Sequence, residues 1–212
     1  MAAYVMIGSG GHARVLADAL ASNGIALAAV VSPDAELSSD FGDLQHIRDD
    51  DEFLAETSRE CLLINGVGTV GDVRVRRGLY ERFIAAGFRF ASVIHRSAVI
   101  SAKVHVGAGV QVMAGAVVQA GAQLGANCIV NTGALIDHDC RIGAHAHVAP
   151  GACLSGHVAV GDAAHIGAGA TVIQGRTIGD GAIVGAGAVV IAHVPAASVV
   201  VGVPARAIER NA

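Results

Sequence analysis

The chain has 212 residues, enough for one or two small domains, and its net charge of −4 excludes a broad basic face for nucleic acid or anionic membrane. Apolar residues make up 53% but aromatics only 3%, with 28 Gly and no Trp, a balance that suits stacked coils better than a ring-filled core. The opening MAAYVMIGSGG lacks the basic segment and apolar run of a signal peptide, no stretch reaches membrane-spanning length, and Cys61, Cys128, Cys140 and Cys153 form no CxxC, so a cytoplasmic protein without a disulfide framework or zinc knuckle is expected.

Residues 3–8 predict a short buried strand running into Gly8-Ser9-Gly10-Gly11-His12, then a helix from Ala13 to Ser22 with Val15, Leu16 and Leu20 on one face. Such a turn can cradle phosphate, because free backbone N–H groups and the positive end of the helix dipole point into it. The spacing is not that of a dinucleotide fingerprint, and a plain tight turn fits it equally well. Gly24 ends the helix, Ile25–Val31 predicts a second strand closing at Ser32-Pro33-Asp34, and the acidic stretch Asp49–Glu52 reads as a solvated face. Cys61–Ile64 predicts a third strand, which reaches a second glycine turn at Gly66-Val67-Gly68-Thr69. A basic amphipathic helix follows from Asp72 to about Ala86, carrying Arg74, Arg76, Arg77 and Arg82, and then a strand over Phe88–Val93. This alternation predicts a small Rossmann-like parallel sheet over residues 1–93, with a crevice for a phosphorylated ligand at the two glycine turns.

From Ile94 the rhythm changes. Every sixth residue from Ile94 to Val190 is aliphatic, and two residues before each the side chain is small, as at Ala134, Cys140 and Ala146, with Arg176 the departure. The residue after is often Gly (Gly107, Gly125, Gly143, Gly161), where a turn can need positive φ. This is the pattern of a hexapeptide β-helix over residues 94–212, three repeats to a triangular coil, coils stacked at about 4.8 Å. Pro195 breaks the rhythm, and Val199–Ile208 is expected to cap the open end.

The repeat, the N-terminal GSGGHARV and the closing GVPAR together resemble bacterial sugar acyltransferases in which a small Rossmann-like domain precedes a left-handed β-helix. These include the N-acetyltransferases of UDP- or GDP-linked 4-amino-sugars (bacillosamine and perosamine types) and the sialic acid O-acetyltransferases. The most specific segment, NTGALIDHDCRIG from Asn131 to Gly143, is similar to that family's NT…(D/E)H(D/E)C.IG motif. The resemblance implies a left-handed helix and a homotrimer with acetyl-CoA between neighbouring prisms. It also implies His138 as general base, with Asp139 as its acidic companion and Asn131 beside them, and His147 on acetyl-CoA. Gly156, His165, Ala168 and Ala186 complete the expected cofactor set. Gly10, Gly11, His12 and Gly68, with Ser32 and Asp34, are the expected contacts to a nucleotide-linked sugar. Ser32-Pro33-Asp34 departs from the paired acids that the family usually shows after its second strand. No metal is expected.

Stacking register places Gly156 one coil above His138 and Ala120 one coil below, leaving the imidazole uncrowded, with the Gly156 N–H a candidate oxyanion donor. His147 should stack with His165, and His157 should stand over Asp139 and pair with it. His46 and His193 read as exposed polar positions, His95 and His105 as structural or peripheral. The expected function is acetyl transfer from acetyl-CoA to the 4-amino group of a UDP- or GDP-linked amino-deoxy sugar. Nothing local separates that amine from the hydroxyl of a sialic-acid-like sugar. A metalloenzyme of the carbonic anhydrase kind requires two His five residues apart on one face, a spacing that no pair here has. A non-catalytic β-helix binding protein is the remaining alternative.

Overall fold

The computed structural model describes residues 3–70 and 72–209. The chain divides into two compact units between Arg96 and Ser97, close to the 93/94 boundary expected from the repeat. Among the described residues, no helix is long and apolar enough to cross a membrane.

The first unit is a parallel sheet flanked by helices. Its elements are β1 (Tyr4–Ile7), α1 (Gly11–Ser22), β2 (Leu27–Val31), β3 (Gln45–Ile47), α2 (Asp50–Glu56), β4 (Leu62–Asn65), α3 (Arg74–Ala85) and β5 (Arg89–Phe90). The strand order β3-β2-β1-β4-β5 reverses between β1 and β4, the point where the carboxyl ends of neighbouring strands open a crevice. Ala13, Leu16, Ala19 and Leu20 of α1 and Tyr80 and Phe83 of α3 are buried, so each amphipathic face covers the sheet. The acidic stretch at Asp49–Glu52 is not merely solvated. It starts α2: the Asp49 carboxylate accepts from the N–H groups of Asp51 and Glu52, acids fill the first turn where the helix dipole favours them, and Phe53 is buried.

The second unit is a left-handed parallel β-helix. Its first face carries two-residue strands from Val99–Ile100 to Val189–Val190, including Leu135–Ile136 and Cys153–Leu154. The second runs from His105–Val106 to Thr177–Ile178 and includes Arg141–Ile142. The third runs from Gln111–Val112 through Ile183–Val184 to Val199–Val201 and includes His147–Val148 and His165–Ile166. The aliphatic column and the small residues beside it are buried from Val110 onward. Ile100 and Val106 are only partly buried, because their strands are the edges of the first two faces. Ile94, expected at the foot of the column, is 38% exposed, and its neighbour Val93 is the buried residue. At the far end Val199–Val201 takes an antiparallel partner, Arg206–Ile208, which covers the last edge.

The glycines after the aliphatic positions serve a different end from the one expected. Positive φ falls two residues later, at Gly109, Gly115, Gly121, Gly133 and their successors, whereas Gly107, Gly125 and Gly143 have ordinary φ. A Cβ on Gly125 would stand 2.6 Å from the Ala144 nitrogen, and one on Gly143 would stand 2.5 Å from the Asp162 nitrogen. Close approach of the next coil excludes a side chain there.

Replacing Ile136, buried in the middle of the column, with Ala should lower unfolding free energy by about 2–5 kcal/mol in a denaturant melt.

Candidate active site

In the first unit the two glycine turns lie side by side at the ends of β1 and β4. Gly10 is the N-cap of α1 and offers no side-chain cap, which leaves the first helical N–H groups facing the turn. A Cβ on Gly66 would sit 2.7 Å from the Met6 sulfur and 2.8 Å from the Ala13 Cβ, so only glycine lets the second turn press against β1 and α1. His12 packs on Gly68, where an added Cβ would lie 3.0 Å from the His12 Cβ. Beyond β2, Ser9 donates to the Asp34 carboxylate and Ser32 donates to it at 2.9 Å, which holds the Asp34 carboxyl below the usual aspartate range. The structure therefore brings His12 to Gly68, and Ser32 and Asp34 to Ser9. Ser9 was not singled out in the sequence. His46 also joins this cluster through its Nε2, 3.0 Å from the Ser32 carbonyl oxygen, rather than standing as a plain exposed residue.

In the β-helix, His138 and Asp139 occupy the corner between the first and second faces. The His138 N–H donates to the Asp137 side chain at 2.7 Å, and His138 Nδ1 lies 2.9 Å from Asp139 Oδ2. A carboxylate accepts, so Nδ1 carries the proton and Nε2 presents a lone pair. The Asp139 bond is the main cause that raises the His138 pKa above the ordinary imidazole value, and the same bond lowers that of Asp139. The ring lies over Gly156: a Cβ there would stand 2.5 Å from His138 Nε2. His157, from the coil above, has its Nε2 3.7 Å from Asp139 Oδ2. His138, Asp139 and His157 offer donor atoms within 4.8 Å of one another, yet all three are exposed and two are bonded together as an imidazole–carboxylate pair.

The other expected residues gather elsewhere on the prism. Asn131 does not meet His138. Its amide oxygen accepts from the Thr132 N–H at 2.8 Å, and its amide nitrogen lies 3.0 Å from His147 Nε2. That orientation makes His147 Nε2 an acceptor and therefore no free base. His147 and His165 pair in register on the third face, rings perpendicular at 84° and centroids 5.0 Å apart. Burial lowers the His165 pKa and keeps the ring neutral. Ala168 and Ala186 stand at the corner after that face, in adjacent coils joined by the Gly187 N–H donating to the Ala168 carbonyl at 2.8 Å. His193 is not simply an exposed polar residue: its Nδ1 accepts the Thr177 N–H at 3.1 Å.

Two family models match the sequence, the PglD N-terminal domain over residues 4–83 and the bacterial transferase hexapeptide over residues 103–138. Among solved structures, the chain is 38% identical to perosamine N-acetyltransferase from Caulobacter crescentus, with a TM-score of 0.90, covering 99% of this chain and 98% of that one. That protein was solved as a histidine-to-asparagine variant with CoA and GDP-perosamine. The acetyltransferase domain of PglB from Neisseria gonorrhoeae, in complex with acetyl coenzyme A, is 36% identical with a TM-score of 0.86, covering 97% of this chain and 98% of that one. WeeI from Acinetobacter baumannii is 25% identical over 98% of this chain and 100% of that one, again with a TM-score of 0.86. A search of curated proteins found no match.

Two outcomes follow from the geometry at His138. Gly156→Ala drives a methyl into the ring and should lower kcat about a hundredfold, with a near-native melting temperature. Asp139→Asn removes the carboxylate whose hydrogen bond is the main cause that raises the His138 pKa, so an acid limb of kcat/KM set by His138 protonation should move to lower pH.

Proposed function

The chain belongs to the hexapeptide-repeat N-acetyltransferases of nucleotide-linked amino sugars, and from that premise we propose that it moves an acetyl group from acetyl-CoA to the 4-amino group of a UDP- or GDP-linked amino-deoxy sugar. The observation that carries this reading is the His138–Asp139 pair, whose protonated Nδ1 is anchored and whose Nε2 is left to accept a proton. Aminolysis of a thioester needs placement and one proton acceptor. The sugar amine attacks the thioester carbonyl carbon, its proton passes to His138 Nε2, and the tetrahedral oxyanion forms beside the Gly156 N–H. Collapse breaks the C–S bond and releases CoA, with the imidazolium returning a proton to the sulfur. A positioned base of this kind contributes typically 10²–10⁴-fold.

Residues 1–93 act in this reading as the nucleotide-sugar module, and 94–212 as the acetyltransferase module. The cradle of Gly10, Gly11 and His12 with Gly68 takes the pyrophosphate and sugar, while Ser32 and Asp34 lie toward the nucleoside. The third face, with His147, His165, Ala168 and Ala186, takes acetyl-CoA. On one prism that face is a different side from the His138 corner. A homotrimer with acetyl-CoA between neighbouring prisms unites the two. Val99 and Leu135, 63% and 44% exposed on the first face, are apolar surface that such an assembly would cover. The reaction belongs in the cytoplasm, where acetyl-CoA and nucleotide sugars are made.

The test is thiol release from acetyl-CoA with a panel of GDP- and UDP-linked 4-amino-sugars, GDP-perosamine first because a relative was solved with it. Rapid release with one member, falling a hundredfold or more in His138→Ala, is expected. Release only with sialic-acid-type acceptors would assign the hydroxyl reaction instead. Undiminished release by His138→Ala would remove His138 as the base.

A further inference from the structure

We propose that His157 is a positioning residue for the transfer reaction: it shares the Asp139 carboxylate with His138 and limits rotation of the base's ring. The inference rests on the function proposed above and deepens it at the same corner.

The backbone supplies the first argument. Asp139 and His157 stack in one column, both at φ 58, while the residues below and above them in that column are Gly121 and Gly175 at φ 78 and 69. This left-handed conformation disfavours residues with a Cβ, Asn, Asp and His less than others, and glycine meets it freely one coil away on either side. Strained side chains persist where their contacts outweigh the strain. For His157 that contact is not core packing, since its side chain is 58% exposed.

Its contacts are with the base and the carboxylate. Asp139 Oδ2 sits 2.9 Å from His138 Nδ1 and 3.7 Å from His157 Nε2. The two rings meet edge to face, at 89° with centroids 5.1 Å apart. The His138 imidazole is thereby bounded by Asp139 on Nδ1, by the Gly156 backbone near Nε2 and by the edge of His157. Gly121 completes the corner, since a Cβ there would collide with Asp139 Oδ1.

Charge links the same groups. Asp139 and Asp137 act on His138, and His138 and His157 act on Asp139. His157 draws on the same Asp139 carboxylate that favours the His138 cation. Without His157, Asp139 serves His138 alone, and the protonation midpoint of His138 rises.

The experiment compares His157→Asn, His157→Gly and His157→Gln with the wild-type full chain. Asn and Gly accept the left-handed backbone while removing the reach to Asp139, and Gln keeps a donor near the place of Nε2 without the imidazole ring. The readouts are kcat and KM for acetyl-CoA, the His138 midpoint by NMR in substrate-free protein, and the melting temperature. In Asn and Gly, kcat should fall about tenfold with KM for acetyl-CoA unchanged, and the His138 midpoint should rise. His157→Gly should melt at or above the wild-type temperature. Gln should recover most of kcat without returning the midpoint to its wild-type value. An unchanged kcat with an unmoved midpoint overturns the proposal, as does a loss of kcat that tracks a lowered melting temperature and is not rescued by Gln. If no sugar in the panel releases thiol with wild-type protein, the function proposed above fails, and the His138 midpoint alone still decides whether the carboxylate is shared.

Discussion

Direct stacking of parallel backbone, each coil hydrogen-bonded to the one eighteen residues on, is the constraint from which the β-helix and its site follow. Adjacent coils stand about 4.8 Å apart, so each side chain meets its counterpart one coil away at close to van der Waals separation. Inside the prism this forces an unbroken aliphatic column, because one polar or oversized member would leave an unsatisfied group or displace its neighbours. Outside, each residue is conditioned by what stands above and below it. At Gly143 the neighbour is the Asp162 backbone, and at Gly156 it is the His138 ring. The coil that carries His138 and the coil that carries Gly156 are thus fixed together, although the two residues are far apart in sequence.

Corners complement that rule. Each coil must turn at three corners, and the turn places one residue in the left-handed region, usually glycine. Departures from glycine are informative because they are unfavourable. Asn127 and His145 at one corner bond to each other, Nδ2 to Nδ1 at 2.9 Å, with Asn127 fully buried. That pair reads as a structural rung. Asp139 and His157 at another corner are both exposed, so their contacts contribute little burial and their position beside His138 is what distinguishes them.

The period of six made the prism legible from sequence, since every coil repeats the same demand and the column has no competing solution. The strand–turn–helix at Gly8–His12 was legible for a similar local reason. Other features depended on partners that sequence does not place. The helix at Asp50–Glu56 was signalled by Asp49 with Glu52 three residues on, but a seven-residue element with one buried Phe shows too little periodicity to stand out from a solvated acidic loop. Asn131 lies close to His138 in the chain and points to His147 instead, because the two stand at opposite ends of the first-face strand Leu135–Ile136. Gly143 carried the correct residue for a different reason: the demand there is proximity to Asp162, visible only once the next coil is in place. Ser9 and His46 reach Ser32 and Asp34 through strand pairing in the sheet, which spacing alone does not reveal.

The histidines divide the chemistry by environment. His138, on an exposed corner with a carboxylate at Nδ1, has its cation favoured, which suits the base proposed for it above. His165, mostly withdrawn from water and packed edge to face on His147, has its cation disfavoured, and its buried Nδ1 has no hydrogen-bond partner among the described residues. His147 is held by the Asn131 amide with Nε2 as acceptor. Groups whose environments push their pKa values in opposite directions take different parts in a reaction. Of these three, His138 combines a raised affinity for protons with an Nε2 left free of the Asp139 bond. In the reading proposed above, His147 and His165 on the third face pack against acetyl-CoA and His138 at the corner takes the proton, so one repeated fold serves two parts of the reaction with the same residue type.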